Sequence, residues 1–166
     1  MRPGLIFKRD AATEIRRYFA GPFLPNVLLR PRLLPVVPKM DDLVFQALHS
    51  HDVAEAFRLA VTGGSARGAY NLAAEPVLDS ARLAALLHAR PVPVPPGLLR
   101  AAAKVTWKAR LQPAAPGWLD MGLQVPVMDP ARALTELGWT PRRTSEQALL
   151  ELLDGMARGA DYDTPP

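Results

Sequence analysis

Apolar and polar positions along the chain change period several times, and each change marks an element. Gly4 to Phe7 is a short apolar run bounded by Pro3 and Lys8, which predicts a buried strand. Asp10 is placed to cap a short helix carrying Ile15, Tyr18 and Phe19 on one face, with Gly21-Pro22 ending it. Asn26 to Pro38 reads as extended. Its prolines, Pro31, Pro35 and Pro38, suit an edge or a loop, because proline has no N–H to give a central ladder. Leu43 to Leu48 predicts another strand. Asp52 then reads as an N-cap, and Glu55 three positions on completes the pattern of a capping box. Val53, Ala56, Phe57, Ala60 and Val61 follow the helical i, i+3, i+4, i+7, i+8 spacing until Gly63-Gly64 stops it.

The second half continues the alternation. Ala69 to Ala73 predicts a strand, and Asp79 or Ser80 opens a helix with Leu83, Leu86 and Leu87 inward. Pro91 to Gly97 reads as a proline-dense bend in local polyproline conformation. Leu98 to Arg110 reads as a helix with Leu98, Ala102, Val105 and Ala109 opposed to Arg100, Lys104 and Lys108. Pro113 to Gly117 reads as a loop, and Leu123–Val125 and Val127–Met128 as extended. Asp129-Pro130 starts a helix with Leu134 and Leu137 inward and Gly138 at its end. Thr144 and Gln147 form a capping box before a last helix bearing Leu149, Leu150, Leu153 and Met156, and residues 159–166 are expected to fray. Strands interleaved with helices predict an α/β class.

Composition narrows the chemistry. Eighteen prolines in 166 residues are roughly twice the ordinary share, which argues against a long helical bundle. Lys+Arg is 20 against Asp+Glu 16, a net charge of +4, and only four of the basic residues are lysines. The plain reading of that balance is a solvated basic surface. The absence of cysteine excludes disulfides, thiolate metal sites and cysteine nucleophiles. The longest uncharged stretch near the start, Tyr18 to Leu29, holds Pro22 and Pro25 and is too short and too broken to span a bilayer. A cytoplasmic, soluble chain is the expectation.

Few motifs carry chemistry. Gly63, Gly64 and Gly68 lie between a helix and a strand, the wrong order for a phosphate loop. His49, His51 and Asp52 are close, but only His88 remains as a further histidine and it sits on a separate predicted helix, so no metal site is expected. No Gly-x-Ser-x-Gly turn occurs, and the carboxylates show no paired spacing. Trp107, Trp118 and Trp139 do not interleave with basic residues, so nucleic-acid binding is not expected. The basic helix from Leu98 to Arg110 has the pattern of a membrane-surface helix. The simpler reading is a solvated basic face over a packed apolar stripe.

Four segments together resemble a known family. Arg2-Pro3-Gly4-Leu5-Ile6-Phe7 resembles the Arg-Pro-Gly strand of the extended short-chain dehydrogenases/reductases, the NAD(P)-dependent epimerases and dehydratases. Phe45 to Ala54 resembles their apolar-His-x-x-Asp-Val-Ala strand-to-helix step, and Gly68-Ala69-Tyr70-Asn71-Leu72 their late Gly-x-Tyr-Asn strand. Asp129 to Leu134 followed by Glu136-Leu137-Gly138-Trp139-Thr140-Pro141 resembles their Leu-Gly-Trp-x-Pro signature. The segments occur in family order.

The resemblance implies the C-terminal strands of a Rossmann-like NAD(P)-binding sheet plus a small mixed α/β substrate-binding lobe, over residues 1–158, incomplete without an N-terminal half. It implies that Pro3, Gly4, Leu5 and Ile6 lie beside the nicotinamide of NAD or NADP, and that Phe7, Gln46 and His49 line a cleft for a small-molecule substrate. No catalytic residue is assigned. Tyr18, Tyr70 and Tyr162 are followed four positions on by Pro22, Ala74 and Pro166, so the family's Tyr-x-x-x-Lys pair is absent, as is its glycine-rich loop. The chain alone is therefore expected to bind no cofactor and to transfer no hydride. Where nucleotide-sugar enzymes of the family carry Arg-Asp, this chain has Phe45-Gln46, which implies a less anionic substrate. A fragment or truncated product is one expectation; a stand-alone binding or scaffold module is the other. Either way, a first strand lacking its neighbours is expected to promote self-association.

Overall fold

A computed structural model describes residues 1–19, 34–64 and 66–162. In chain order its strands are β1 (Arg2–Pro3), β2 (Leu5–Phe7), β3 (Val36–Lys39), β4 (Val44–Phe45), β5 (Ala47–His49), β6 (Asn71–Leu72), β7 (Leu78–Asp79) and β8 (Arg90–Pro93). The helices are α1 (Ala12–Phe19), α2 (Ser50–Thr62), α3 (Ser80–Leu87), α4 (Pro96–Lys108), α5 (Pro116–Gly122), α6 (Ala131–Glu136) and α7 (Ser145–Arg158). The architecture is mixed α/β, with short, mostly parallel strand pairs. The expected end of the first helix at Gly21-Pro22, the stretch 26–33 and the last four residues of the tail lie outside the described residues.

The N-terminal extended run changes partner at one residue. β1 pairs parallel with β6, and β2 pairs parallel with β5. Between them, the Gly4 N–H donates to Leu72 O at 2.9 Å, and the Leu5 N–H donates to Gln46 O at 3.2 Å. A Cβ on Gly4 would lie 3.1 Å from Gln46 O and crowd that backbone carbonyl, so the crossing favours a residue without one. The run Leu43–Leu48 divides likewise at Gln46: β4 pairs antiparallel with β7, and β5 turns to β2. The first strand is also less buried than its sequence suggests. Pro3 is exposed and Ile6 is 42% exposed, because among the described residues no strand or helix covers their outer side.

β3 pairs parallel with β8, inside the segment expected to be a polyproline bend. The proline spacing explains how that is possible. Arg90 N donates to Pro35 O at 2.9 Å, and alternation along a strand sends the N positions of Pro91 and Pro93 to the opposite edge, where no donor is needed.

Helix α7 is the central element. It buries Ser145, Ala148, Leu149, Leu152, Gly155 and Met156 against β5, β2 and α1. One apolar cluster joins Val37, Ala47, Leu78, Leu83, Leu87 and Leu149. A second joins Leu48, Val53, Leu72, Tyr70, Ala133 and the fully buried Trp139. A third, smaller one holds Ala12, Leu152 and Met156. The capping box of Thr144 with Gln147 is formed as expected. Ala160, in the tail expected to fray, accepts from Thr13 Oγ1 at 2.7 Å and from Thr13 N at 3.2 Å.

Several faces differ from the sequence reading. α1 begins at Ala12, buries Ala12 and Thr13 and leaves Tyr18 and Phe19 exposed; Asp10 is ion-paired to Lys8 at 2.8 Å. α5 occupies part of the expected loop, with Pro116 at its first position. In α6 it is Ala133 that is buried, while Leu134 is 40% exposed. α4 turns Leu99, Ala103 and Thr106 toward the protein and leaves Leu98 and Val105 outside, because α5 packs on that smaller-residue face. No helix among the described residues is long and apolar enough to cross a membrane.

Candidate functional site

The strand-to-helix step at His49 forms a buried polar knot. His49, not Asp52, is the N-cap of α2, and its Nδ1 accepts from the His51 N–H at 3.2 Å. Its Nε2 lies 3.1 Å from Glu151 Oε2, which also holds Arg143 through Oε1 at 2.7 Å. An accepting Nδ1 makes Nε2 the protonated nitrogen of a neutral ring. Burial, chiefly, and the nearby Arg143 guanidinium lower the His49 pKa from its ordinary value; Glu151 opposes them. The His51 ring packs edge-on against His49, with centroids 4.8 Å apart.

Asp52 has a different task from a helix cap. Its buried carboxylate accepts from the Arg142 N–H at 3.0 Å and the Arg143 N–H at 3.2 Å. Its backbone oxygen accepts from Trp139 Nε1 at 2.8 Å. The His-x-x-Asp step and the Leu-Gly-Trp-x-Pro segment, far apart in sequence, are thus one structural unit. Ser145 extends that unit: its N–H donates to Glu75 O at 3.0 Å, and its Oγ lies 2.9 Å from Ala47 O and 2.7 Å from Ala74 O.

Gln46 is a second clamp. Its side-chain amide accepts from Met128 N at 2.8 Å and donates to Met128 O at 3.2 Å, like an added backbone pair, and it reaches Glu75 Oε1 at 3.3 Å. The clamp holds the segment after α5 against the point where β4 becomes β5.

On the other side of that point lies a cleft of about 490 Å³ between the strands and the α4–α5 pair. Leu5, Leu43 and Phe45 form its strand side, and Leu99, Thr106, Gln112, Trp118 and Leu119 face them. Its lining among the described residues carries no charged side chain. Thr106 Oγ1 bonds back to Ala102 O at 2.9 Å, and Gln112 Nε2 reaches Ala103 O at 3.4 Å. A hollow of about 470 Å³ adjoins it and shares Phe19, Ala114 and Trp118. Phe19 and Trp118 meet edge to face, with centroids 5.7 Å apart.

Of the residues singled out from the sequence, Leu5 lines this cleft and is joined to the others by the strands. Pro3, Gly4 and Ile6 flank it along the same run, with Pro3 and Ile6 open to solvent. Phe7 lies in register with His49 and packs between two core clusters. Gln46 and His49 are buried behind the cleft. Thr106, Gln112 and Trp118 were not legible as site residues, since nothing in the sequence shows that α4 and α5 fold over Leu5. Among the described residues no cluster of His, Asp and Glu is arranged to hold a metal ion.

The comparisons with known proteins agree with this fold. One match covers 96% of this chain and 46% of the Thermus thermophilus UDP-glucose 4-epimerase solved in complex with NAD, with a TM-score of 0.51 at 18% identity. Another covers 43% of the Bordetella bronchiseptica enzyme WbmG, solved in complex with NAD and UDP, with a TM-score of 0.54 at 16% identity. The architecture is therefore that of Rossmann-like NAD(P)-binding enzymes, matched over part of their chains. In sequence, the uncharacterized proteins Rv0501 of Mycobacterium tuberculosis and Mb0513 of Mycobacterium bovis are each 32% identical over 151 residues, 86% of this chain. The chain spans 35% of the length of these curated relatives. No protein-family model matches it.

Proposed function

We propose that the chain forms the substrate-binding, C-terminal part of an NAD(P)-dependent epimerase/dehydratase-like oxidoreductase. The observation that carries this is the cleft at Leu5: an apolar hollow opening from the same strand run, Pro3 to Ile6, that the family resemblance sets beside a nicotinamide. Pro3 and Ile6 present an exposed apolar edge, which suits the ring end of a dinucleotide. The sequence has no Gly-x-Gly-x-x-Gly loop to hold its pyrophosphate. Leu5, Phe45 and Gln112 are the substrate contacts in this reading; Gln46 and His49 position the strands and α2 behind them. Without the Tyr-x-x-x-Lys pair, the chain alone has no proton donor for carbonyl reduction and is inactive alone.

Titration of the 166-residue chain with NADH and NADPH, followed by cofactor fluorescence, tests the reading. The expected result is no saturable binding by the chain alone. Binding should appear when the reading frame upstream of Met1, carrying a glycine loop and Tyr-x-x-x-Lys, is added. Tight binding by the chain alone, or an upstream frame lacking both motifs, refutes it.

A further inference from the structure

The strongest unexplained feature lies on the outside of α4. The sequence suggests that its Leu98, Ala102, Val105 and Ala109 stripe packs inward beneath a solvated basic face. The structure reverses this. Leu99, Ala103 and Thr106 turn to the protein, and Leu98 and Val105 stand 63% and 65% exposed. Ala101 joins them at helical spacing on the outer face. Lys104 and Lys108, four residues apart, run alongside as an exposed basic row.

Charge identifies what would cover this face. Residues 96–123 carry Arg100, Lys104, Lys108 and Arg110 against Asp120 alone, a local charge of +3 out of the chain's net +4. Arg100 is neutralised by Asp120. Lys104, Lys108 and Arg110 have no ion pair among the described residues. A second copy of the chain, meeting face to face, would set one +3 surface against another. An anionic bilayer surface instead accepts aliphatic side chains at the acyl boundary while lysine stems extend to the headgroups.

We propose that the α4 outer face docks on anionic lipid membranes, with Leu98, Ala101 and Val105 entering the interface and Lys104 and Lys108 meeting the headgroups. Docking there leaves the cleft on the opposite side of α4 free, so it is independent of the function proposed above.

Co-sedimentation of the 166-residue chain with vesicles tests it, using pure phosphatidylcholine and a phosphatidylcholine–phosphatidylserine mixture. The expected result is binding to the mixture, little to the neutral lipid, and weakening with salt. Lys104→Gln/Lys108→Gln should weaken partition about 30-fold. Val105→Asp should abolish co-sedimentation with the mixed vesicles. Both substitutions lie at exposed positions, and an unchanged circular dichroism spectrum confirms folding. Equal binding to both lipids, binding to neither, or full binding by the lysine variant overturns the proposal. So does a self-associated chain that Val105→Asp makes monomeric without any vesicle binding, which would make the face an interface between copies.

Discussion

Replacing Gly155 by alanine sets two known effects against each other. Gly155 sits inside α7 with ordinary helical backbone, so alanine should gain about 1 kcal/mol from helix propensity. The added Cβ, however, would lie 2.6 Å from Arg9 O and 2.8 Å from the Ala12 Cβ. Arg9 O is backbone and already accepts the Ala12 N–H at 3.1 Å, so it cannot yield without opening the first turn of α1. Moving α1 also disturbs the Thr13–Ala160 bonds. Overpacking of this kind costs about 1–3 kcal/mol, and a backbone neighbour places it at the upper end. The clash wins, and Gly155→Ala should destabilise by about 1–2 kcal/mol net. Gly97→Ala is the control. It lies in the first turn of α4 with nothing within 4 Å of the new Cβ, and should stabilise by about 0.5 kcal/mol. Urea unfolding followed by circular dichroism reads both. With m near about 2 kcal/mol/M, Gly155→Ala should lower the midpoint by roughly 0.5–1 M. A Gly155→Ala midpoint at or above that of the unsubstituted chain would refute the close packing of α1 on α7.

Two further outcomes follow from the polar knot. Asp52→Ala leaves the Arg142 and Arg143 N–H groups without their charged acceptor and should cost about 2–4 kcal/mol; Asp52→Asn, which keeps one acceptor oxygen, should cost about half, both read as urea midpoints. His49 has a lowered pKa when folded and an ordinary one, near 6.5, when unfolded. The unfolded chain therefore binds the extra proton first as pH falls, so His49's contribution is fully present above pH 6.5 and declines below it toward the folded pKa. Stability measured from about pH 7 down to about pH 5 should show this decline, and His49→Asn, which keeps a cap acceptor without titrating there, should flatten it. An unchanged slope in His49→Asn would remove His49 as its source.

By itself the sequence determined the α/β alternation, the starts of α3 and α7, and the resemblance that orders the four motifs. Those rest on local chemistry: an aspartate or threonine cap, a glycine stop, a run of one periodicity. It also showed that Asp52 and Trp139 matter, but as separate local signals. Only the tertiary structure joined them, through bonds between residues 87 to 91 positions apart. The same limit explains the misread faces. α4 is rich in alanine, so two of its faces are apolar enough to pack, and contact with α5 selected the one with Leu99 and Ala103. In the proline-rich segment, composition pointed to a bend, while the alternation of Pro91 and Pro93 suits an edge strand once β3 is beside it. The partner changes at Gly4 and Gln46, and the cleft they open at Leu5, had no local signature. They depend on which backbone lies within hydrogen-bonding distance, a property of the folded chain and not of any window along it.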